Sequence, residues 1–294
     1  MPKKQGHLVI VGGPESRVPE REILTRAAHL AGGASTRVCI LAAGKKANAD
    51  HLSALGTAFD ALGVRGVTCH LLADRKQVDA PEVLEAIDAA SCVVLTAADP
   101  ADLAKAFKGT TAERRVHEAF ERRGACVMVV GGASSGISRH MVAEGKSDIH
   151  PRAGLISLTE GLGFLDRVVI DHHFSDKQRM GRLLSIVAQK PDLIGVGVDA
   201  RTAMVVTPGR RLEVIGQATV TILDGRTMSY CSAGQVPPDA ILAMGNVQLH
   251  LLPAGFAFDL EGGLPPSRGV IGAKVPPALH EVVSQLVSAL PFKP

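Results

Sequence analysis

The sequence predicts an α/β fold: a doubly wound, mostly parallel sheet sandwich. Two observations carry that expectation. Short runs rich in Val, Ile, Leu and Cys alternate with amphipathic helical segments through the first half of the chain, and those runs are apolar along their whole length, as strands covered on both faces must be. Right-handed crossovers between such strands place helices on both sides of one sheet. In the second half short strands follow one another with few helices between them. That pattern predicts β-rich C-terminal additions extending the same sheet.

The first strand is expected at His7–Val11, ended by Gly12, Gly13 and Pro14. Glu20–Ala31 follows as a helix, with Ile23, Leu24, Ala27, Ala28 and Ala31 on one face and Gly32 and Gly33 as its stop. Arg37–Ala42 is the next strand and Asp50–Leu62 the next helix. Val67–Leu72 reads as a strand, Pro81–Ala89 as a helix, Cys92–Thr96 as a strand and Thr111–Arg123 as a helix. Ala125–Val130 is a fifth strand and runs straight into Gly131 and Gly132. Further strands are expected at Val168–Asp171, Ile194–Val198, Ala203–Val206, Leu212–Ile215, Val220–Leu223 and Gln248–Leu252. Helices are expected at Asp176–Gln189 and Pro277–Ala289. No linker, repeat or low-complexity tract divides the chain, so residues 1–294 are read as one domain.

Composition narrows the function. Of 294 residues 46% are hydrophobic, and 31 Gly and 17 Pro are dispersed without a period. This excludes a disordered or collagen-like chain. With no Trp, one Tyr and eight Phe, the core must be aliphatic, and a stacking platform for single-stranded nucleic acid is not expected. A formal charge of +3, from 32 basic and 29 acidic residues, gives no polyanion-binding surface. The five cysteines (Cys39, Cys69, Cys92, Cys126 and Cys231) share no metal-ligand spacing and read as small buried hydrophobes in a reducing compartment. The apolar run after Lys3 and Lys4 is too short for a signal sequence, and no stretch is long enough to span a bilayer. A cytoplasmic protein is expected, with no nucleic-acid or membrane partner, no cofactor and no metal.

The chemistry is concentrated in two stretches. Gly132-Ala133-Ser134-Ser135-Gly136 is a G-x-S-x-G placed between an expected strand and an expected helix, the context a nucleophile elbow needs. Such a turn lifts the middle hydroxyl from the sheet edge, and the glycines remove Cβ atoms that would collide with neighbouring backbone. Ser134 is the candidate nucleophile, and the backbone N–H of Ser135 the candidate oxyanion donor. A tight turn without chemistry would produce the same glycines.

The second stretch, Val168–Arg182, runs a strand into Asp171-His172-His173-Phe174, with Ser175 as a plausible helix cap. Arg179 and Arg182 lie three apart on one helical face, where two guanidinium forks can meet a carboxylate, and Lys177 stands at the start of the same helix. A solvated basic face is the bland reading. A general base at the strand end is the sharper one. Metal ligation by Asp171, His172, His173 and Asp176 is disfavoured, because adjacent His side chains diverge along extended backbone.

With these residues in view, the chain resembles cyanophycinase and its relatives in the peptidase E group of serine peptidases, whose fold is similar to class I glutamine amidotransferases. The resemblance is carried by the opening LVIVGGPES, by GASSG where the family usually has GTSAG, and by GLGFLDRVVIDHHFSDKQRMGRLLSIVAQKPDLIGVGVDARTAMVV, which has counterparts for IIDQHFS, R-x-R-x-x-R-L and GIGIDExTA. It implies Ser134 as nucleophile and His173 as its base. It also implies a pocket of Asp171, Arg179 and Arg182 for an Arg-bearing aspartyl substrate, either cyanophycin or a β-aspartyl peptide. A homodimer is expected on the same ground.

Three departures stand out. Ala200 occupies the place of the family's Glu, with Asp199 one residue early. Ala97-Ala98-Asp99-Pro100 replaces the family's GGNQ or GGDQ loop, leaving Asp99 as the polar group there. His172 replaces the Gln of D-Q-H-F, and Lys177 the first Arg of the basic set. Asp199 or Asp99 is therefore the candidate acid behind His173. The leading expectation is a serine-type exopeptidase cutting cyanophycin or isopeptide-linked Asp-Arg substrates. The alternatives are a catalytically impaired relative that binds an Arg- or Asp-containing ligand, and a metal-dependent hydrolase using His172 and His173.

Overall fold

Alternation along the first strand already divides the core. In the computed structural model, which describes residues 5–13, 18–44, 49–208 and 210–262, Leu8 and Ile10 enter one apolar cluster while Val9 and Val11 enter another on the opposite face. The same division repeats along the neighbouring strands, so helices cover both faces of one sheet.

The first half contributes β1 (Leu8–Val11), α1 (Arg21–Leu30), β2 (Arg37–Ala43), α2 (Ala49–Asp60) and β3 (Gly66–Leu72). It continues with α3 (Arg75–Val78), α4 (Pro81–Ala89), β4 (Cys92–Ala97), α5 (Pro100–Phe107), α6 (Thr111–Glu118) and β5 (Cys126–Gly131). After β5 come α7 (Ala133–Gly136), β6 (His140–Gly145), β7 (Ile156–Glu160), β8 (Val168–His172) and α8 (Met180–Gln189). The remaining strands are β9 (Ile194–Val198), β10 (Thr202–Val206), β11 (Arg211–Gly216), β12 (Thr219–Asp224), β13 (Tyr230–Cys231), β14 (Met244–Gly245), β15 (Gln248–Pro253) and β16 (Ala257–Asp259).

The large sheet has the order β16-β11-β10-β1-β5-β4-β2-β3. Its pairings from β1 to β3 are parallel, and those of β10, β11 and β16 are antiparallel. The second half therefore extends this sheet only in part. Strands β8, β9, β12 and β15 form a separate four-stranded sheet. Val168, Ile170, Val196, Val198, Val220 and Ile222 pack with Leu8, Ile10, Met204 and Val206 of the large sheet in one cluster. The separation has a local cause in β9, Ile-Gly-Val-Gly-Val. Its β-branched residues face the large sheet, while a Cβ at Gly195 would come within 2.9 Å of Leu183 and one at Gly197 within 2.3 Å of the Phe174 ring. Glycine there lets α8 and Phe174 lie directly on the strand.

One helical expectation changes, and one helix is added. The helix expected from Asp176 begins at Met180, with Arg179 as its N-cap residue. His173 and Gln178 have φ of 51°, so the chain turns before the helix can start. A helix that the Asp-Pro pair disguises as a loop, α5, is capped by Asp99, whose Oδ1 accepts from Ala101 N at 2.8 Å. Pro100 sits at its first position, where no N–H is needed. The helix expected at Pro277–Ala289 lies outside the described residues. Cys39, Cys92 and Cys126 are buried free thiols, with burial pushing Cys39 up to about 12, whereas Cys69 on the edge strand β3 is exposed. No helix among the described residues is long and apolar enough to cross a membrane.

Candidate active site

The site forms where the C-terminal ends of β1, β5 and β8 converge. At the end of β5, Gly131 takes φ of 67° and turns the chain into α7. A Cβ on Gly132 would come within 2.7 Å of Asp99 N and 2.8 Å of Ala98 O, so only glycine admits the loop after β4 there. Ser134 does not occupy the strained corner itself; it lies inside the short helix that follows.

Ser134 is fully buried, and its Oγ lies 2.7 Å from Val11 O and 3.2 Å from Val129 O. Its hydroxyl proton is thus directed at main-chain carbonyls. The backbone N–H of Ser135, expected as an oxyanion donor, donates to Gly132 O at 3.2 Å within the turn. Its side chain does something the sequence did not suggest: Ser135 Oγ lies 2.8 Å from Nδ1 of His172.

His173 follows β8 and reaches the same corner from the other sheet. Its N–H donates to Gly12 O at 2.6 Å, and its Nε2 lies so close over Gly13 that a Cβ there would come within 2.1 Å of it. Nδ1 of His173 is 3.0 Å from Oδ2 of Asp176. Asp176 is therefore the carboxylate on this imidazole. Asp199 is employed elsewhere: Oδ1 accepts from Ser175 N at 3.1 Å, and Oδ2 from Thr219 Oγ1 at 2.6 Å and Thr219 N at 3.3 Å. Asp99 is the α5 cap described above. Neither orients His173. The signal for Asp176 was present as a His-x-x-Asp spacing inside a turn, hidden by reading that turn as helix.

Asp171 and the two arginines do come together, but on one another. Asp171 is completely buried; Arg179 Nη1 lies 2.6 Å from Oδ1 and Arg182 Nε 2.7 Å from Oδ2, with Arg182 Nη2 closing a second contact to Oδ1. Arg179 Nη1 also donates to His172 O at 2.6 Å, and Arg182 Nη1 to Gly145 O at 3.1 Å. The acid expected to meet a substrate guanidinium is thus already satisfied from inside. Lys177 is exposed on the turn. The His172 imidazole is held down to about 3, first by burial and then by Arg179, His173, Lys177 and Arg182, so it is uncharged at neutral pH. Among the described residues no three His, Cys, Asp or Glu converge as metal ligands.

Comparison with known proteins gives this arrangement a lineage. A cyanophycinase from Geminocystis herdmanii is 31% identical over 251 residues, covering 84% of this chain and 91% of that protein. One from Trichormus variabilis is 30% identical over 280 residues, covering 94% and 90%. The solved structure of a peptidase from an acI-B1 actinobacterium superposes with a TM-score of 0.62 at 20% identity, covering 87% of this chain and 97% of that one, which bears on the fold alone. The model of peptidase family S51 matches residues 8–214, a span that includes the β5 corner, the two histidines and the arginine pair. On that match and on the cyanophycinase relatives, this chain belongs to peptidase family S51.

Proposed function

We propose that the chain is a serine-type hydrolase that opens aspartyl amide bonds, in cyanophycin or in isopeptide-linked Asp-Arg substrates, through an acyl-enzyme. In this reading Ser134 is the nucleophile, His173 the base and Asp176 the acid that orients it. The observation that carries the reading is the 3.0 Å contact between His173 Nδ1 and Asp176 Oδ2. It holds the proton on Nδ1 and leaves the Nε2 lone pair against Gly13, two residues beyond the carbonyl that receives the Ser134 hydroxyl.

Attack needs Oγ to leave Val11 O by a change of χ1 between staggered wells. Its proton passes to His173 Nε2 as Oγ bonds to the carbonyl carbon, and Asp176 stabilises the imidazolium. That proton then goes to the departing amine. A water, deprotonated by the same nitrogen, releases the acyl group. Lys177, Arg179 and His172 make the surroundings favourable to the aspartyl carboxylates. Because Asp171 is already paired, the substrate's guanidinium gains little there, and recognition rests on the aspartyl portion.

The test is covalent labelling with a fluorophosphonate followed by peptide mapping. The adduct is expected on Ser134 and absent from Ser134→Ala. Labelling on Ser135, or equal turnover of β-aspartyl-arginine by wild type and Ser134→Ala, overturns the assignment.

A further inference from the structure

The contact between Ser135 and His172 stands outside the mechanism above, and hydrogen-bond accounting gives it a direction. Ser135 is 3% exposed, and a buried hydroxyl proton must find an acceptor. Among the described residues Ser135 Oγ has one partner, the Nδ1 of His172 at 2.8 Å. Were Nδ1 the donor, the Ser135 proton would be left unsatisfied. The hydroxyl therefore donates and Nδ1 accepts. In a neutral imidazole the remaining proton must then sit on Nε2. That nitrogen makes no hydrogen bond to any of the described residues, although β8, which His172 ends, packs against α7 and the ring meets His173 edge-on with centroids 5.6 Å apart.

We propose that Ser135 is a positioning residue: by donating to Nδ1 it fixes His172 as the Nε2–H tautomer, and His172 thereby presents an uncharged donor to a carbonyl or carboxylate oxygen of the substrate. The burial and cationic surroundings that keep His172 uncharged agree with this. A histidine needs a partner to decide which nitrogen carries the proton, and Ser135 is that partner here. An Nε2–H donor also faces a guanidinium unfavourably, donor against donor. The site is thereby biased toward the acidic part of a substrate. That this ligand is a substrate rests on the hydrolase reading; the tautomer does not.

The experiment uses full-length protein carrying Ser134→Ala, so that no turnover is involved, with ¹⁵N-labelled histidine. Long-range ¹H–¹⁵N correlations distinguish protonated from unprotonated ring nitrogens, and the His172 signals are assigned by their loss in His172→Gln. Unprotonated Nδ1 and protonated Nε2 are expected, changing to a mixture of tautomers when Ser135→Ala is added and retained with Ser135→Thr. Binding of β-aspartyl-arginine is expected to weaken roughly tenfold in Ser135→Ala, the upper end for one neutral hydrogen bond. That loss should disappear in the His172→Gln background. A protonated Nδ1, or a tautomer indifferent to Ser135→Ala, overturns the proposal even if the hydrolase reading stands. Absence of turnover in the wild type with the expected tautomer overturns the hydrolase reading alone.

Discussion

Asp176 holds the imidazole of His173 from a position three residues further along the same turn, with Oδ2 3.0 Å from Nδ1. The residue in the place of the family's glutamate is Ala200, and its neighbour Asp199 is committed to Ser175 and Thr219. In the proposed mechanism the acid and the base thus come from one short segment of chain.

Asp176→Ala should therefore lower kcat/KM by about 10⁴, the usual cost of losing an orienting acid. Its side chain is 48% exposed, so the melting temperature should hardly move. Steady-state kinetics beside a thermal melt checks both halves.

Asp199→Ala is expected to behave in the opposite way. It leaves Thr219 and Ser175 without their acceptor in a buried setting, a loss of about 1–3 kcal/mol. Urea denaturation should register it, while turnover per folded molecule falls less than in Asp176→Ala.

Asp171→Asn should be the most destabilising substitution at the site. It removes the charge on which two guanidinium groups converge, each side chain only 11% exposed. Breaking a buried pair on one side costs about 3–5 kcal/mol. Equilibrium unfolding is the measurement. Since Asp171 is already occupied, the wild type should also hydrolyse β-aspartyl-arginine and β-aspartyl-lysine at rates within roughly tenfold of each other, because no buried acid is left to discriminate between their cations.

His172 makes stability pH-dependent in a stated direction. Its pKa falls from 6.5 to about 3 on folding, so between those values the unfolded chain binds the extra proton. Stability from this residue is complete above about 6.5 and is lost as the pH falls toward 3, at no more than about 1.4 kcal/mol per pH unit. Subtracting the profile of His172→Gln from that of the wild type isolates this contribution.

Gly13→Ala should abolish turnover. Gly13 has φ of 129° and its Cβ would collide with His173 Nε2, so the base must move.

The parallel half of the fold was legible because its strands are buried on both faces and therefore written as unbroken apolar runs, as at Cys92–Ala97 and Cys126–Gly131. The division of the later strands into two sheets was not. Local patterning in Ile194–Val198 marks a strand without saying which sheet it joins, and the glycines that settle its packing act through Leu183 and Phe174. The Gly-x-Ser-x-Gly turn after β5 and the histidine pair at the end of β8 could be located from local sequence. The carboxylate on His173 was missed because the positive φ at His173 and Gln178 turns a segment whose composition suits a helix. The pairing of Ser135 with His172 depends on how α7 meets β8, which neither motif contains.

The hydroxyls of Ser134 and Ser135 follow a strand of the large sheet, while His172 ends and His173 follows a strand of the smaller one. Competence in the proposed mechanism is consequently a property of the seam. Mild heating or denaturant that loosens the two layers while each keeps its own ladder would silence the enzyme with far-ultraviolet dichroism still near native. Inactivation then becomes the earliest reporter of melting.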